Sequence, residues 1–281
     1  MAADDINAWV ATNPAGTDYI DASDELIRNN NAAVEEMVGG STINLVITRP
    51  SAATVTVTCD RLVLLKDAAA AAARPPAYVN QTAISVTGNI GDAGANGLDA
   101  GAEAASTWYF IWIIRDTVNG ATATLLSLSA TAPTMPGTYN YKRLVGAVYN
   151  DSASNFVNFV QRGNRVFYTA AQTILTAGAQ VAYTAITMTA YVPSIAKRIF
   201  GYAYPRNTTS NEYTLLYLAD DTSGNYEVII GGICRTTQNY TACYYECEIG
   251  IDASVNIAYK VAVAAGTGTG TVVLNGFYVE I

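Results

Sequence analysis

The sequence contains no histidine. That absence alone removes the Ser–His–Asp triad, the imidazole general base and the His-ligated metal centre. Charge is scarce. Only 14% of the 281 residues are charged, and 15 basic side chains face 23 acidic ones. A net charge of −8 leaves no basic footprint for duplex nucleic acid, so no nucleic-acid partner is expected. Four cysteines, Cys59, Cys234, Cys243 and Cys247, are too few for a disulfide scaffold. The longest strongly apolar run, residues 108–114, is too short to span a bilayer, so no membrane insertion is expected. The N-terminus is acidic and lacks a basic n-region, so no secretory leader is expected.

What the chain does hold is apolar material, at 51% of residues. This excludes an intrinsically disordered chain and supplies cores for one large or two medium domains. The acidity is concentrated. Residues 1–40 carry eight acidic groups against Arg28 alone, while the remaining 241 residues are nearly balanced. Such a segment either docks on a basic partner or is a solvated end.

Residues 1–20 read as an irregular arm punctuated by Pro14 and Gly16. A helix is expected over residues 22–38. Asp21 or Ser23 can cap it, Asp24 and Glu25 sit at its positive end, and Gly39-Gly40 stops it. Ile27, Val34 and Met37 form a stripe in which Asn30 interrupts the apolar spacing. The stripe fits a short self-associating helix whose Asn fixes register, and equally an amphipathic helix packed on its own domain.

From residue 41 the pattern turns β. Residues 42–48 and 54–65 are rich in Val, Ile and Thr, and residues 82–90, 122–128, 141–149, 156–161 and 165–168 read as further strands. The apolar run at 108–114 has the signature of a central strand covered on both faces. Asn119-Gly120 signals a hairpin turn. Six alanines at 68–73, closed by Arg74-Pro75-Pro76, read as a helical insertion. The glycines at 91, 94 and 97 lack the strand-to-helix context and the Lys-Ser/Thr of a phosphate loop, so a tight β-connection is expected. In the C-terminal part, residues 213–218 and 226–230 flank a hairpin loop, and residues 255–263 alternate strictly. Gly266, Gly268 and Gly270 read as a flexible connection. Residues 271–281 read as a closing strand with Val273, Phe277, Val279 and Ile281 on one face.

The expected fold is mainly β: a short N-terminal arm and helix over 1–40, then two antiparallel β-sandwich or jelly-roll-like domains over 41–168 and 169–281. No catalytic constellation emerges. Glu246 and Glu248 share one strand face, as a carboxylate pair would, and equally as a solvent face would. Asp220 and Asp221 sit in ordinary turn composition without EF-hand spacing, leaving calcium open. Cys243 and Cys247 would lie about 13 Å apart along a strand, too far to bond, and buried reduced thiols are expected. No cofactor and no metal is expected. Tyrosine stands out, with 19 Tyr against 6 Phe and 3 Trp. Tyr191, Tyr202, Tyr204, Tyr240 and Tyr244 fall in the C-terminal part. They suit either an exposed binding surface or simple strand formation.

Two stretches resemble the fibre and appendage proteins of tailed bacteriophages. The first is Trp9-Val-Ala-Thr-Asn-Pro14-Ala-Gly16-Thr-Asp18-Tyr-Ile20-Asp-Ala-Ser-Asp24-Glu-Leu-Ile27-Arg28, similar to the short segment that opens many such fibres. The second runs from Asn96-Gly-Leu-Asp99-Ala-Gly101 through Thr107-Trp-Tyr109 and Pro133-Thr-Met-Pro136. It continues to Lys142-Arg143-Leu-Val-Gly146 and Phe159-Val-Gln161-Arg-Gly163-Asn164. It resembles a β module of tail-fibre and head-fibre proteins. The alanine insert is not part of that pattern, and residues 169–281 carry no such resemblance.

The resemblance implies a non-enzymatic virion protein, usually a homotrimer, assembled in the host's reducing cytoplasm. Its N-terminal segment would attach to other capsid or tail proteins through Trp9, Pro14, Asp18, Ile20, Asp24, Ile27 and Arg28. The C-terminal domain would face outward, toward a host-surface glycan or protein, using Tyr191, Tyr202, Tyr204, Tyr240 and Tyr244. Tail fibre is the leading expectation, with head fibre or capsid decoration protein as the alternative. A polysaccharide-degrading enzyme using Glu246, Glu248, Asp220 and Asp221 is the reading from another class.

Overall fold

The computed structural model describes residues 42–67, 78–233 and 245–281. The described residues all belong to one unit, residues 42–281. The expected helix over 22–38, the seven anchoring residues from Trp9 to Arg28 and the six-alanine insertion lie outside the described residues.

The described part is β throughout, with no helix among the described residues. Its strands are β1 (Thr42–Ile43), β2 (Val46–Ser51), β3 (Thr54–Lys66), β4 (Tyr78–Asn89), β5 (Thr107–Arg115), β6 (Thr122–Ser127), β7 (Tyr141–Asn150) and β8 (Phe159–Arg162). There follow β9 (Arg165–Gly178), β10 (Thr184–Thr187), β11 (Ala196–Asn207), β12 (Tyr213–Ala219), β13 (Val228–Ile233), β14 (Tyr245–Gly250), β15 (Asn256–Val263) and β16 (Gly268–Val279).

Twelve strands form one sheet in the order β14-β11-β16-β9-β8-β2-β3-β7-β5-β6, with β1 and β4 also paired to β3. A second sheet runs β10-β15-β12-β13. Buried residues of this smaller sheet, such as Leu216, Leu218 and Ile257, join one core with Val272 and Leu274 of β16 and Ala203 of β11. The boundary expected at 168/169 falls inside β9. That strand hydrogen-bonds β8 on one side and β16 on the other, so residues 42–168 and 169–281 share a continuous sheet.

The sequence pattern explains β5. It lies between β6 and β7, and its alternate residues enter different cores. Tyr109, Ile111 and Ile113 join the main core, while Phe110, Trp112 and Ile114 join a smaller cluster with Leu125 and Ala147. Each such side chain contributes about 1.5–3 kcal/mol by leaving water. The uninterrupted apolar run therefore marks a strand buried on both faces. The Asn119-Gly120 hairpin between β5 and β6 is also present. Gly120 takes φ +72°, a conformation an L side chain resists.

The glycine-rich connection after β4 is a packed loop. A Cβ at Gly97 would fall 2.3 Å from the Asp92 carbonyl oxygen, which requires glycine there. Two other expectations are corrected. Gly268 and Gly270 are not a flexible connection but the first turns of the pleat of β16. Cβ atoms there would meet Val263 and Leu216 at 2.1 and 2.5 Å, so glycine lets the two sheets approach. Val273 does not share the face of Phe277 and Val279. A register shift at Asn275, present against both β9 and β11, reverses the alternation, so Val272 and Leu274 enter the core instead.

The β5–β6 hairpin carries a pH-sensitive tie. The Asp116 carboxylate accepts bonds from the Val118 and Asn119 amides at 2.8 and 3.1 Å, from Asn119 Nδ2 at 2.6 Å and from the Thr138 hydroxyl. These donors, Thr138 first, hold its pKa at about 2, below the ordinary 3.8. The charged form is the stabilised one. Its contribution is therefore present above about pH 4 and lost as pH falls toward 2. Melting temperatures should converge between wild type and Asp116→Asn on acidification over that window. A constant gap would show that the carboxylate charge contributes nothing.

Candidate functional site

The outer row of β11 carries the most distinctive surface chemistry. Strand alternation sends Ile199 and Ala203 into the core and turns Arg198, Phe200, Tyr202, Tyr204 and Arg206 the other way. Phe200 meets Phe167 of β9 at a ring-centroid distance of 5.3 Å and Tyr278 of β16 at 5.4 Å. The Arg165 guanidinium lies over three rings, at 4.2 Å from Phe200, 4.6 Å from Phe167 and 5.5 Å from Tyr278. Arg198 approaches Tyr278 at 5.0 Å and ion-pairs with Glu248, while Arg206 lies 5.2 Å from Tyr204. Cations over rings are held by the ring quadrupole, at about 0.5–1 kcal/mol each where exposed.

A glycine and a register shift make this arrangement possible. A Cβ at Gly276 would sit 2.5 Å from the far end of the Phe200 ring, so the absence of a side chain lets the ring reach over the backbone there. The register shift at Asn275 opens the sheet beside it. Residues 168–171 of β9 have only Asn275 opposite them. The result is a groove of about 590 Å³, bordered by Arg165, Phe167, Phe200, Glu248, Asn275 and Tyr278. The volume is in the range of small-ligand sites.

A second groove of about 590 Å³ shares Tyr168 with the first and is bordered by Arg49, Tyr149, Asp151, Gln172 and Tyr191. The Tyr168 hydroxyl donates to the Tyr191 carbonyl, and burial pushes its pKa well above the usual tyrosine range.

The five tyrosines expected to form a binding surface are therefore divided. Tyr202 and Tyr204 lie together in the β11 row. Tyr191 belongs to the second groove, with its carbonyl engaged by Tyr168. Tyr240 and Tyr244 lie outside the described residues. The strongest members of the face, Arg165, Phe200 and Tyr278, were not singled out from the sequence. The signal was present in the alternation Arg198-x-Phe200-x-Tyr202-x-Tyr204-x-Arg206.

The four candidate acids come from two elements: Glu246 and Glu248 from β14, and Asp220 and Asp221 from the loop after β12, where Asp220 lies close to Gly250 of β14. Glu246 and Glu248 stand opposite Tyr202 and Phe200 in register, and the Glu248 carboxylate is engaged by Arg198. Asp221 closes its own turn, accepting from the Ser223 and Asn225 amides at 2.8 and 3.2 Å and from Asn225 Nδ2 at 2.7 Å. These bonds, the Asn225 side chain's first, lower its pKa. Among the described residues, no three Cys, Asp or Glu side chains are gathered as a metal centre would need. Cys59 is a buried free thiol. Its Sγ donates to the Ile43 and Arg61 carbonyls, and burial raises its pKa. Cys234 and Cys243 lie outside the described residues, and Cys247 is described by its backbone alone.

No protein-family model matches the chain, and no curated protein matches it.

Proposed function

We propose that this chain is a non-enzymatic structural subunit of a tailed bacteriophage, a fibre or appendage protein attached by its N-terminal segment. On this reading its β body faces outward and contacts the host surface. The C-terminal part acts as a β-sandwich, with the smaller sheet over β11 and β16.

One observation carries the reading. The residues that resemble the phage β module are used as architecture, as a recurring module requires. The Asn96 amide donates to the Thr124 carbonyl at 2.7 Å, and its side-chain oxygen accepts from the Thr124 amide at 3.0 Å. Asp99 accepts from Ser127 Oγ at 2.6 Å and from the Thr134 amide at 2.9 Å. Gln161 is buried and donates to the Val145 and Gly163 carbonyls at 2.7 and 2.8 Å, beneath Gly146. These three residues of the motif thus tie the loop after β4 to β6 and hold β7 against β8.

Homotrimerisation belongs to the same proposal. Tyr213, Ile229 and Ile233 stand 45, 55 and 50% exposed in register on the outer face of the smaller sheet, an apolar area that association would cover. Sedimentation should give a mass near three chains that persists on dilution. Deleting residues 1–40 should abolish incorporation into gradient-purified particles while leaving the β body folded, and normal incorporation would overturn the anchor. Labelling of particles then separates a tail position from the head position of the alternative reading. Glycan cleavage that disappears when Glu246, Glu248, Asp220 and Asp221 become alanine would establish the enzyme instead.

A further inference from the structure

We infer that the groove at the register shift of β16 is a saccharide site that selects a carboxylate-bearing sugar, with Arg165 as its anion anchor and Asn275 as its hydroxyl reader. The inference rests on the reading of the β body as a binding part, and it names the ligand class.

The first ground is an unspent cation. Arg165 is an exposed residue, yet its guanidinium is fixed against Phe167, Phe200 and Tyr278. Ring contacts supply none of the charge of an anion partner and leave the guanidinium without an oxygen acceptor. Among the described residues, no carboxylate or carbonyl takes its N–H donors. A guanidinium has five N–H groups in a planar fork that matches a carboxylate in two parallel bonds. The rings restrict its motion, so less side-chain entropy is lost when a ligand binds.

The second ground is Asn275. It sits at the register shift, is half-buried, and its amide has no protein partner among the described residues. An amide offers two donors and a two-lone-pair acceptor, the complement of vicinal sugar hydroxyls. A sheet interior seldom leaves such a group idle, and register irregularities recur beside binding sites.

The third ground is charge. Arg165 and Glu248 are the charged residues bordering the groove, and Glu248 is already paired with Arg198 of β11, which leaves the Arg165 cation as the uncompensated charge. A monoanion balances that charge. A phosphate dianion would overshoot it and face the Glu248 carboxylate. Phe167 and Tyr278 add aromatic surface to the groove, against which the C–H face of a sugar ring can pack. A uronic or sialic acid combines all of these features.

The test uses the purified full chain and calorimetric titration with three probes: a galacturonic acid trimer, an α2,8-linked sialic acid trimer, and the carboxyl-reduced galacturonic trimer. At least one acidic trimer should bind, and the reduced trimer should bind at least about tenfold more weakly. Arg165→Gln should weaken the acidic trimer roughly 10- to 100-fold, the scale of a lost charged hydrogen-bond pair. Arg165→Lys keeps the charge but loses the fork, and should also fall severalfold. Asn275→Ala should weaken it without changing the preference for acid over reduced sugar. Arg49→Gln in the second groove should leave binding unchanged. Arg165→Lys and Asn275→Ala carry the test if Arg165→Gln fails to fold.

Equal binding of the reduced trimer, stronger binding of inorganic phosphate, or no binding of either acid would overturn the inference. A change in native mass on Arg165→Gln, without loss of sugar binding, would assign the patch to contact between copies and overturn it too. Because these measurements need no particle, failure of virion incorporation would leave a positive sugar result standing. It would reject only the phage reading.

Discussion

Replacing Gly201 with alanine should destabilise the β body by about 3 kcal/mol, the upper part of the usual overpacking range. For a unit of this size that is a fall of roughly 6–12 °C in melting temperature. The added Cβ would lie 2.0 Å from the Val273 carbonyl oxygen and 3.0 Å from the Leu274 Cα. Both are backbone atoms of β16, the neighbour of β11, so no side chain can rotate to make room. The strands would have to separate where their register already shifts, between Phe200 and Gly201. Gly91 supplies the control. Its Cβ would meet nothing closer than the Asn89 side-chain oxygen at 3.5 Å, so Gly91→Ala should leave the melting temperature nearly unchanged. Calorimetry of both variants decides the matter. A Gly201→Ala protein that melts with the wild type would mean that β11 and β16 do not pair as described.

Other glycines of the β body show what the sequence revealed and what it hid. Strand identity was legible wherever one short segment decided it. The run at 108–114 could only be a strand with apolar material on both faces. The alternation at 255–263 became β15, and the Asn-Gly pair became a hairpin turn. Gly268 and Gly270 misled because a glycine in a loop and a glycine at a close crossing of two sheets are spelled alike. Only the position of Val263 and Leu216 in space separates them. The parity of β16 misled for a related reason. One register shift at Asn275 sends every later side chain to the opposite face, and nothing local announces it.

The arginine and aromatic face of β11 was the least legible feature, although every residue in it was in view. Tyrosine drew attention by abundance, but three cation–ring contacts converge on Arg165, which pairs with Tyr278 from more than a hundred residues away. Tyr202 and Tyr204 were recognised by type; Phe200 and Arg198, on the same row, were not. Composition identifies residues fit for a surface. Long-range strand order decides which of them meet.

Phe277→Ala should be the most damaging single truncation in the shared core, at about 3–5 kcal/mol for a fully buried phenylalanine. This corresponds to a fall of roughly 6–20 °C. Phe277 is 1% exposed. Its ring meets Trp108 of β5 edge-on at 6.0 Å and Tyr168 of β9 at 5.8 Å. Trp108 is in turn tied by its indole N–H to the Thr189 carbonyl at 2.8 Å and packed at a tilt against Tyr149 at 5.2 Å. One residue of the last strand therefore touches the first half of the β body and the strand that joins the halves. The shape of the transition is more informative than its midpoint. If residues 42–168 and 169–281 unfold as one body, wild type and variant each give a single calorimetric peak, and the whole peak moves. If only part of the trace moves, the two halves unfold separately despite their common sheet. The continuity through β9 would then be a hinge rather than a core. The length of the β9–β16 pairing and the cluster around Phe277 favour the single peak. A saccharide bound at Asn275, two residues from Phe277 on β16, would then stabilise both halves together.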